Sequence, residues 1–342
     1  MKRKLFHTAA LLLSGALLLT GCGKQTPPAN YIPEETNYIS SSQLTGITSA
    51  DLTILPDNPN GSLKVPTYIT KVHDTYFIVD CYNNQVIYND NLTDPIYTWR
   101  IMTNDVTMPH TLASDGSVYL IDDTENNRIL VMEEGVNENG FQCFVPTQEF
   151  TDIGVRPHYI VYHEPTDTFY AWSSQSGEMY LFRRNKEDNR VYLTQKLYMP
   201  PVANSYVRSF TIIDDRIFFV SGNASIIEAE LDTFRVRQVY PIPDELYGMV
   251  QITKIDDYFY ITNSTDANGN QDYATIIRTK DLEDLYTGEY EDVYHHFIGG
   301  GTPYYISNIG DKWYLTEHRI PGHGIFEFKV TDNEITDVKT IY

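Results

Sequence analysis

The chain has 342 residues, with 46 acidic side chains against 25 basic ones and a formal net charge of −21. So acidic a surface argues against nucleic acid as a partner and against an electrostatic hold on anionic lipid, because like charges repel. Once the ends are set aside, the remaining length suits one large β domain or two small ones.

The N-terminus sets the expected compartment. Lys2, Arg3 and Lys4 precede the apolar run Leu11 to Leu19, which is too short to span a bilayer. The run ends in Leu19-Thr20-Gly21-Cys22, which resembles the lipobox of bacterial lipoproteins. That resemblance implies a signal peptide over residues 1–21, acylation of Cys22, and a lipid anchor on the extracytoplasmic face of a bacterial cell membrane. Acyl chains at about 0.8 kcal/mol per buried CH₂ make such anchoring effectively permanent once two or more are attached. Residues 22–50 then comprise the lipidated cysteine and a tether rich in Pro, Ser, Thr and Asn. Two cysteines remain, Cys81 and Cys143. Nothing in their spacing demands a disulfide, although an oxidising exterior permits one.

Residues 51–342 carry an internal repeat. Six related stretches align on Ile69, Leu112, Ile160, Phe210, Ile252 and Ile306, with blades beginning near residues 66, 109, 157, 207, 249 and 303. Each copy opens with an apolar run, makes a short turn such as His73-Asp74, Asp115-Gly116 or Asp256-Asp257, and enters an aromatic and β-branched run. Two such runs about a short turn predict a hairpin. A third run (QVIYN, RILVM, EMYLF) and a looser fourth (IYTWRI, FQCFVP, EDVYHHF) complete the unit. The expected fold is all-β: a six-bladed β-propeller with four antiparallel strands per blade. Helical periodicity is nearly absent, with PDELYGM and KDLEDLY predicted to make a turn each. Residues 50–56 are expected as an extra strand or plug at the ring closure.

The second copy resembles the NHL-type propeller repeat in Pro109, Asp115, Gly116, Val118, Tyr119, Asp122, Asn126, Asn127, Arg128 and Ile129. The first copy keeps Pro66, Tyr76, Asp80, Asn83, Asn84 and Val86. The resemblance implies that the aspartate, placed at Asp122 in the second copy, shapes the loop into the third strand. Relatives of this shape include peptidyl-hydroxyglycine lyases, lactonase-like enzymes and plain interaction modules.

Propeller geometry predicts that the residue two before each aligned position lines the central mouth: Thr67, His110, His158, Arg208, Val250 and Tyr304. The second-strand ends bring Asp80, Asp122, Asp123, Asn223, Asn263, Glu317 and His318 to the same side. In the lyase relatives, histidines after a blade proline hold zinc, and His110 and His158 match the first two of such a set. Three protein ligands are needed, and Arg208, Val250 and Tyr304 stand where the third would be. Arg208 suits a carboxylate or phosphate instead. The residue pattern leaves three roles open for the histidine pair: capping a strand, contacting a ligand, or binding metal.

No cofactor is demanded by any motif. The two metal readings are zinc at His110 and His158 and calcium at Asp122, Asp123 and Glu125. His295-His296 and His318 with His323 are a weaker surface alternative. No nucleophile elbow, Walker loop or dinucleotide fingerprint occurs. The expected function is a membrane-anchored binding module for an extracellular protein, peptide or glycan, with Thr67, His110, His158, Arg208 and Tyr304 facing the ligand. The alternative is a metal-dependent lyase or hydrolase in the mouth, with Tyr304 as acid or base.

Overall fold

A computed structural model describes residues 59–342, apart from 138, 204, 222–224, 267, 298–300, 321 and 323. The signal peptide, Cys22, the tether, the plug at 50–56, Asn223 and His323 lie outside those residues.

The described chain forms six four-stranded antiparallel sheets, each from four consecutive strands. The blades span residues 66–103, 112–150, 157–198, 210–241, 249–292 and 302–340. The innermost strand of every blade carries the aligned apolar residue, and Ile69, Leu112, Ile160, Phe210, Ile252 and Ile306 are all buried. Their side chains belong to apolar clusters that each join neighbouring blades. Phe77 and Val79 of blade 1 pack with Leu112 and Tyr119 of blade 2. The same pattern continues round the ring to Tyr314 and Ile325 of blade 6, which pack on Ile69, Ile78 and Trp99 of blade 1. Full burial of one such side chain contributes about 1.5–3 kcal/mol, so the blade faces are the main source of cohesion.

The ring closes by packing, without a strand lent from one blade to another among the described residues. Ser307 Oγ donates to Ile69 O at 2.7 Å, and Trp99 Nε1 donates to the Tyr342 hydroxyl at 3.1 Å.

The inner hairpins turn as their residues predict. His73, Asp214 and Asp256 hold the left-handed backbone of two-residue turns, and Gly116 does so (φ 88°) after Asp115. The fourth strands differ most from expectation. Ile96–Thr98 is a 3-10 turn and the strand runs Arg100–Thr103. In blade 5 only Glu291–Asp292 pairs, because Asp292 accepts the Tyr294 N–H and starts the turn Tyr294–Phe297. PDELYGM and KDLEDLY contain the 3-10 segments Asp244–Leu246 and Leu282–Thr287. Cys81 and Cys143 are free thiols, the first buried.

One assignment within the NHL-like stretch is corrected. The loop aspartate is Asp123, not Asp122. Asp123 accepts from Asn126 Nδ2 at 2.9 Å and pairs with Arg128 at 2.7 Å. Asp80 plays the same part for Asn83 in blade 1. Asp122 turns inward instead. Its carboxylate accepts the backbone N–H of His110 at 2.6 Å, that of Thr111 at 2.8 Å, and the hydroxyl of Thr111. Strand alternation sends adjacent residues to opposite sides, which is why two neighbouring aspartates do different jobs. Burial pushes the Asp122 carboxyl up to about 7 while the bonds from Thr111 and His110 pull it down. Both aspartates are fully buried inside these networks.

Candidate functional site

Side chains of one blade hold the inner backbone of the next at every junction. Thr67 Oγ1 donates to His110 O at 2.9 Å, Thr124 Oγ1 to Pro157 O at 2.7 Å, and Ser209 Oγ to Val250 O at 2.7 Å. Thr262 Oγ1 donates to Tyr304 O at 2.6 Å, and Thr316 Oγ1 to Thr67 O at 2.8 Å. The remaining junction uses His158, whose Nδ1 lies 3.1 Å from Arg208 O. A carbonyl only accepts, so this contact sets the His158 tautomer with the proton on Nδ1. Nε2 is then an acceptor, 3.1 Å from the Tyr206 hydroxyl and 3.4 Å from that of Tyr304. The same reasoning applies to His110. Its Nδ1 meets Thr124 Oγ1 at 2.9 Å, and the Thr124 proton is committed to Pro157 O.

The two imidazoles stack face to face, with ring centroids 3.7 Å apart and planes inclined by 26°. Both are held neutral. Burial, with Arg156 and Arg208, holds His110 down at about 3, and burial with His110 and Arg208 keeps His158 well below the usual range. Lone pairs lie in the ring planes, so nearly parallel rings do not direct theirs at one point, as shared coordination of a tetrahedral ion requires. Among the described residues, no three His, Cys, Asp or Glu side chains stand where they would hold a metal ion.

The central channel is blocked just below the mouth. Tyr305 of blade 6 reaches across the axis to Tyr159 of blade 3, centroids 5.0 Å apart, and also meets Tyr68 of blade 1. Gln251 ties the plug to the backbone through Ile306 N–H and O. What remains is a cup of about 240 Å³ opening on the loop face. Thr67, His110, Arg208 and Tyr304 line it, together with His318. His158 lies under Tyr206 and Tyr304, and Val250 is fully buried with only its carbonyl used. These two do not line the cup. Asp80, Asn263 and Glu317 are fully buried rather than presented to it.

Sequence reasoning missed a second tier. Val65, Met108, Arg156, Tyr206 and Thr302 also line the cup. Each sits four residues before its aligned apolar position, one strand period outside the first tier. The signal was therefore present in the alignment. Tyr82, from the loop after the second strand of blade 1, and Tyr206 stand exposed at the rim. Arg208 is placed by a close backbone approach: its Nη1 donates to Gly248 O at 3.2 Å and to Ser264 Oγ at 2.7 Å. A Cβ on Gly248 would collide with the Thr265 backbone, so only glycine fits there. His295 and His296 lie on the turn Tyr294–Phe297 and are not part of the cup.

No family model matches the chain, and no curated protein matches it in sequence. Solved structures do. A Bacteroides fragilis protein provisionally assigned as a 6-phosphogluconolactonase superposes with a TM-score of 0.55 at 13% identity, over 80% of this chain and 83% of that one. Streptogramin B lyase gives 0.52 at 16% identity, over 82% and 84%. The WD40 propeller domain of Doa1 gives 0.50 at 11%, over 82% and 84%. At these identities the likeness is one of fold, and the differing names attached to one shape carry no function across.

Proposed function

We propose that this protein is a membrane-anchored binding module on the extracytoplasmic face of a bacterium, whose propeller offers its cup to a peptide, protein or glycan. The observation that carries the reading is the cup itself. It is a plugged, preformed depression rimmed by exposed tyrosines, and its two histidines stack on each other and bond to the ring. Rigid aromatic rims supply contact area at low entropic cost, as binding surfaces require. The Leu19-Thr20-Gly21-Cys22 sequence supports the anchor, and the long polar stretch after it supports display at a distance from the bilayer.

Two experiments test this. Cells expressing the full chain are labelled with a fatty acid, and a Cys22→Ser variant is compared. Label and detergent-phase partitioning should be lost together in the variant, and retention of both would remove the anchor. Purified full-length protein is then screened on peptide and glycan arrays beside a Tyr82→Ala, Tyr206→Ala variant. Binding that the variant loses supports the cup as the binding surface. Binding unchanged by the variant, no binding at all, or steady turnover of a substrate would each overturn it.

A further inference from the structure

The cup has a chemical bias of its own. We propose that it is a carboxylate-binding subsite in which Arg208 anchors the acidic head of a small or carboxylate-terminated ligand. This rests on the cup being the binding surface, and it adds what that surface selects.

The first observation is a local inversion of charge. The chain carries 46 acidic residues against 25 basic, yet no Asp or Glu is among the residues that line the cup, while Arg156 and Arg208 both are. A cleft of one sign in a body of the other focuses the field on its mouth and draws in the opposite charge. Acids do lie nearby. Glu125 pairs with Arg156 at 2.6 Å, Asp122 is sealed in its network, and Glu317 is buried against Tyr294 at 2.8 Å. Arg156 is therefore neutralised in part.

Arg208 is not. Its Nη1 bonds are to neutral oxygens, and its guanidinium sits 5.2 Å from the centre of the Tyr206 ring. Among the described residues it has no carboxylate partner, and its Nε and Nη2 donors are unused. A fork of two parallel N–H donors matches one carboxylate.

A second, independent observation concerns Thr302. It lines the cup, is 4% exposed, and its hydroxyl has no hydrogen-bond partner. Arg156 Nε, on the same lining, is also unpartnered. Buried polar groups without partners are rare in native proteins and call for an explanation. Two of them, on the same lining as a guanidinium with idle donors, make a set of groups without an acceptor.

Charge and size narrow the class. Burial, with Arg208 as a lesser contributor, keeps His110, His158 and His318 neutral. The cup therefore offers about one uncompensated positive charge, which matches a monoanion better than a phosphate dianion. A volume of about 240 Å³ holds a carboxylate with a few attached atoms, and the rest of the ligand would lie across Tyr82 and Tyr206.

The test is calorimetric titration of the full chain in detergent with matched pairs: glucuronate against glucose, and N-acetyl-Ala-Ala against its C-terminal amide, with glucose 6-phosphate as a third arm. At least one acid should bind, with its neutral partner weaker by roughly tenfold or more. Arg208→Gln should lose a similar factor, Arg208→Lys should fall between, and Thr302→Val should weaken binding a few-fold at unchanged melting temperature. Whichever acid binds identifies a sugar or a peptide terminus as the source. Equal binding of acid and neutral partner, tighter binding of the phosphate, wild-type affinity in Arg208→Gln, or no acid bound would each overturn the proposal. If Arg208→Gln fails to fold, the paired ligands on the wild type still decide. Array binding of neutral ligands that needs Tyr82 and Tyr206 but not Arg208 would leave the cup as a binding surface and remove only its carboxylate selectivity.

Discussion

The side-chain oxygen of Asn127 accepts the backbone N–H of Arg156 at 2.8 Å, so the loop that finishes the second strand of blade 2 fixes the residue that leads into blade 3. Asn84 does the same for Met108 at 2.9 Å between blades 1 and 2. Both asparagines have left-handed backbone, φ 51° and 52°. The Asn-Asn pair thus divides its work: the first member ties back to the loop aspartate, and the second turns the chain and reaches the next blade.

That division can be measured. Asn127→Ala loses both the tolerated left-handed conformation, at about 1 kcal/mol, and the hydrogen bond, at about 1 kcal/mol. Asn127→Gly loses only the bond. Urea unfolding should therefore place the alanine variant about 1 kcal/mol below the glycine variant. Equal stabilities would show that the backbone conformation contributes nothing.

Asp122 should be among the least replaceable side chains. Removing it strips acceptors from the amides of His110 and Thr111 and from the Thr111 hydroxyl in a fully buried setting. Asp122→Ala is expected to cost about 3 kcal/mol or more, because the orphaned donors remain buried. Asp122→Asn keeps the shape and one acceptor oxygen and should recover about half of that. A loss below about 1 kcal/mol in the alanine variant, by the same unfolding measurement, would place the carboxylate outside the fold's essential bonds.

The propeller was legible because its grammar is local. Runs of period two, turns with Asp or Gly, and a recurring apolar residue fix four strands per blade without knowledge of the neighbours. The inner tier of the cup followed from the same register, which is why Thr67, His110, Arg208 and Tyr304 fell where expected. Three things were not legible. Asp122 and Asp123 are adjacent, and only the actual strand pairing says which faces the loop. Val250 and His158 occupy mouth positions by register, yet Tyr206 and Tyr304 cover His158 and Val250 packs in the apolar cluster of Tyr304 and Tyr305, and contacts between distant blades leave no trace in a repeat. Tyr294–Phe297 looked like a strand because it is aromatic-rich, but a single aspartate cap redirected it.

Glu317 makes the stability depend on pH. Burial pushes its carboxyl up to about 7 from 4.5, one oxygen has no partner, and a Cβ on Gly301 would run into it. The unfolded chain releases this proton first, so between pH 4.5 and 7 the folded state binds more protons and its stability falls as pH rises. Above about 7 the penalty is complete. Glu317→Gln removes the titration and should gain on the wild type by about 3 kcal/mol between pH 4.5 and 8. Parallel melting curves for the two proteins across that range would mean the group titrates alike in both states.

The stacked histidines give the last expectation. For one ion to take both, the rings must leave their stack, and His158 must give up Nε2 contacts to Tyr206 and Tyr304. His110 Nε2 faces the Cys81 sulfur at 3.8 Å, and burial keeps that thiol protonated by raising its pKa. Purified protein equilibrated with zinc and then gel-filtered should retain near-zero metal, and a His110→Ala, His158→Ala variant should match it. One equivalent in the wild type that the variant lacks would restore metal chemistry to the mouth. The same variant has a second readout that metal does not touch. It cuts the bond from His158 to Arg208 O, the histidine member of the junctions that lace the ring, and should lower stability by about 1–3 kcal/mol. A His158→Asn variant, whose amide can still donate toward that carbonyl, should restore part of the loss. Restoration without any gain in zinc would mark His158 as a fastener of the ring.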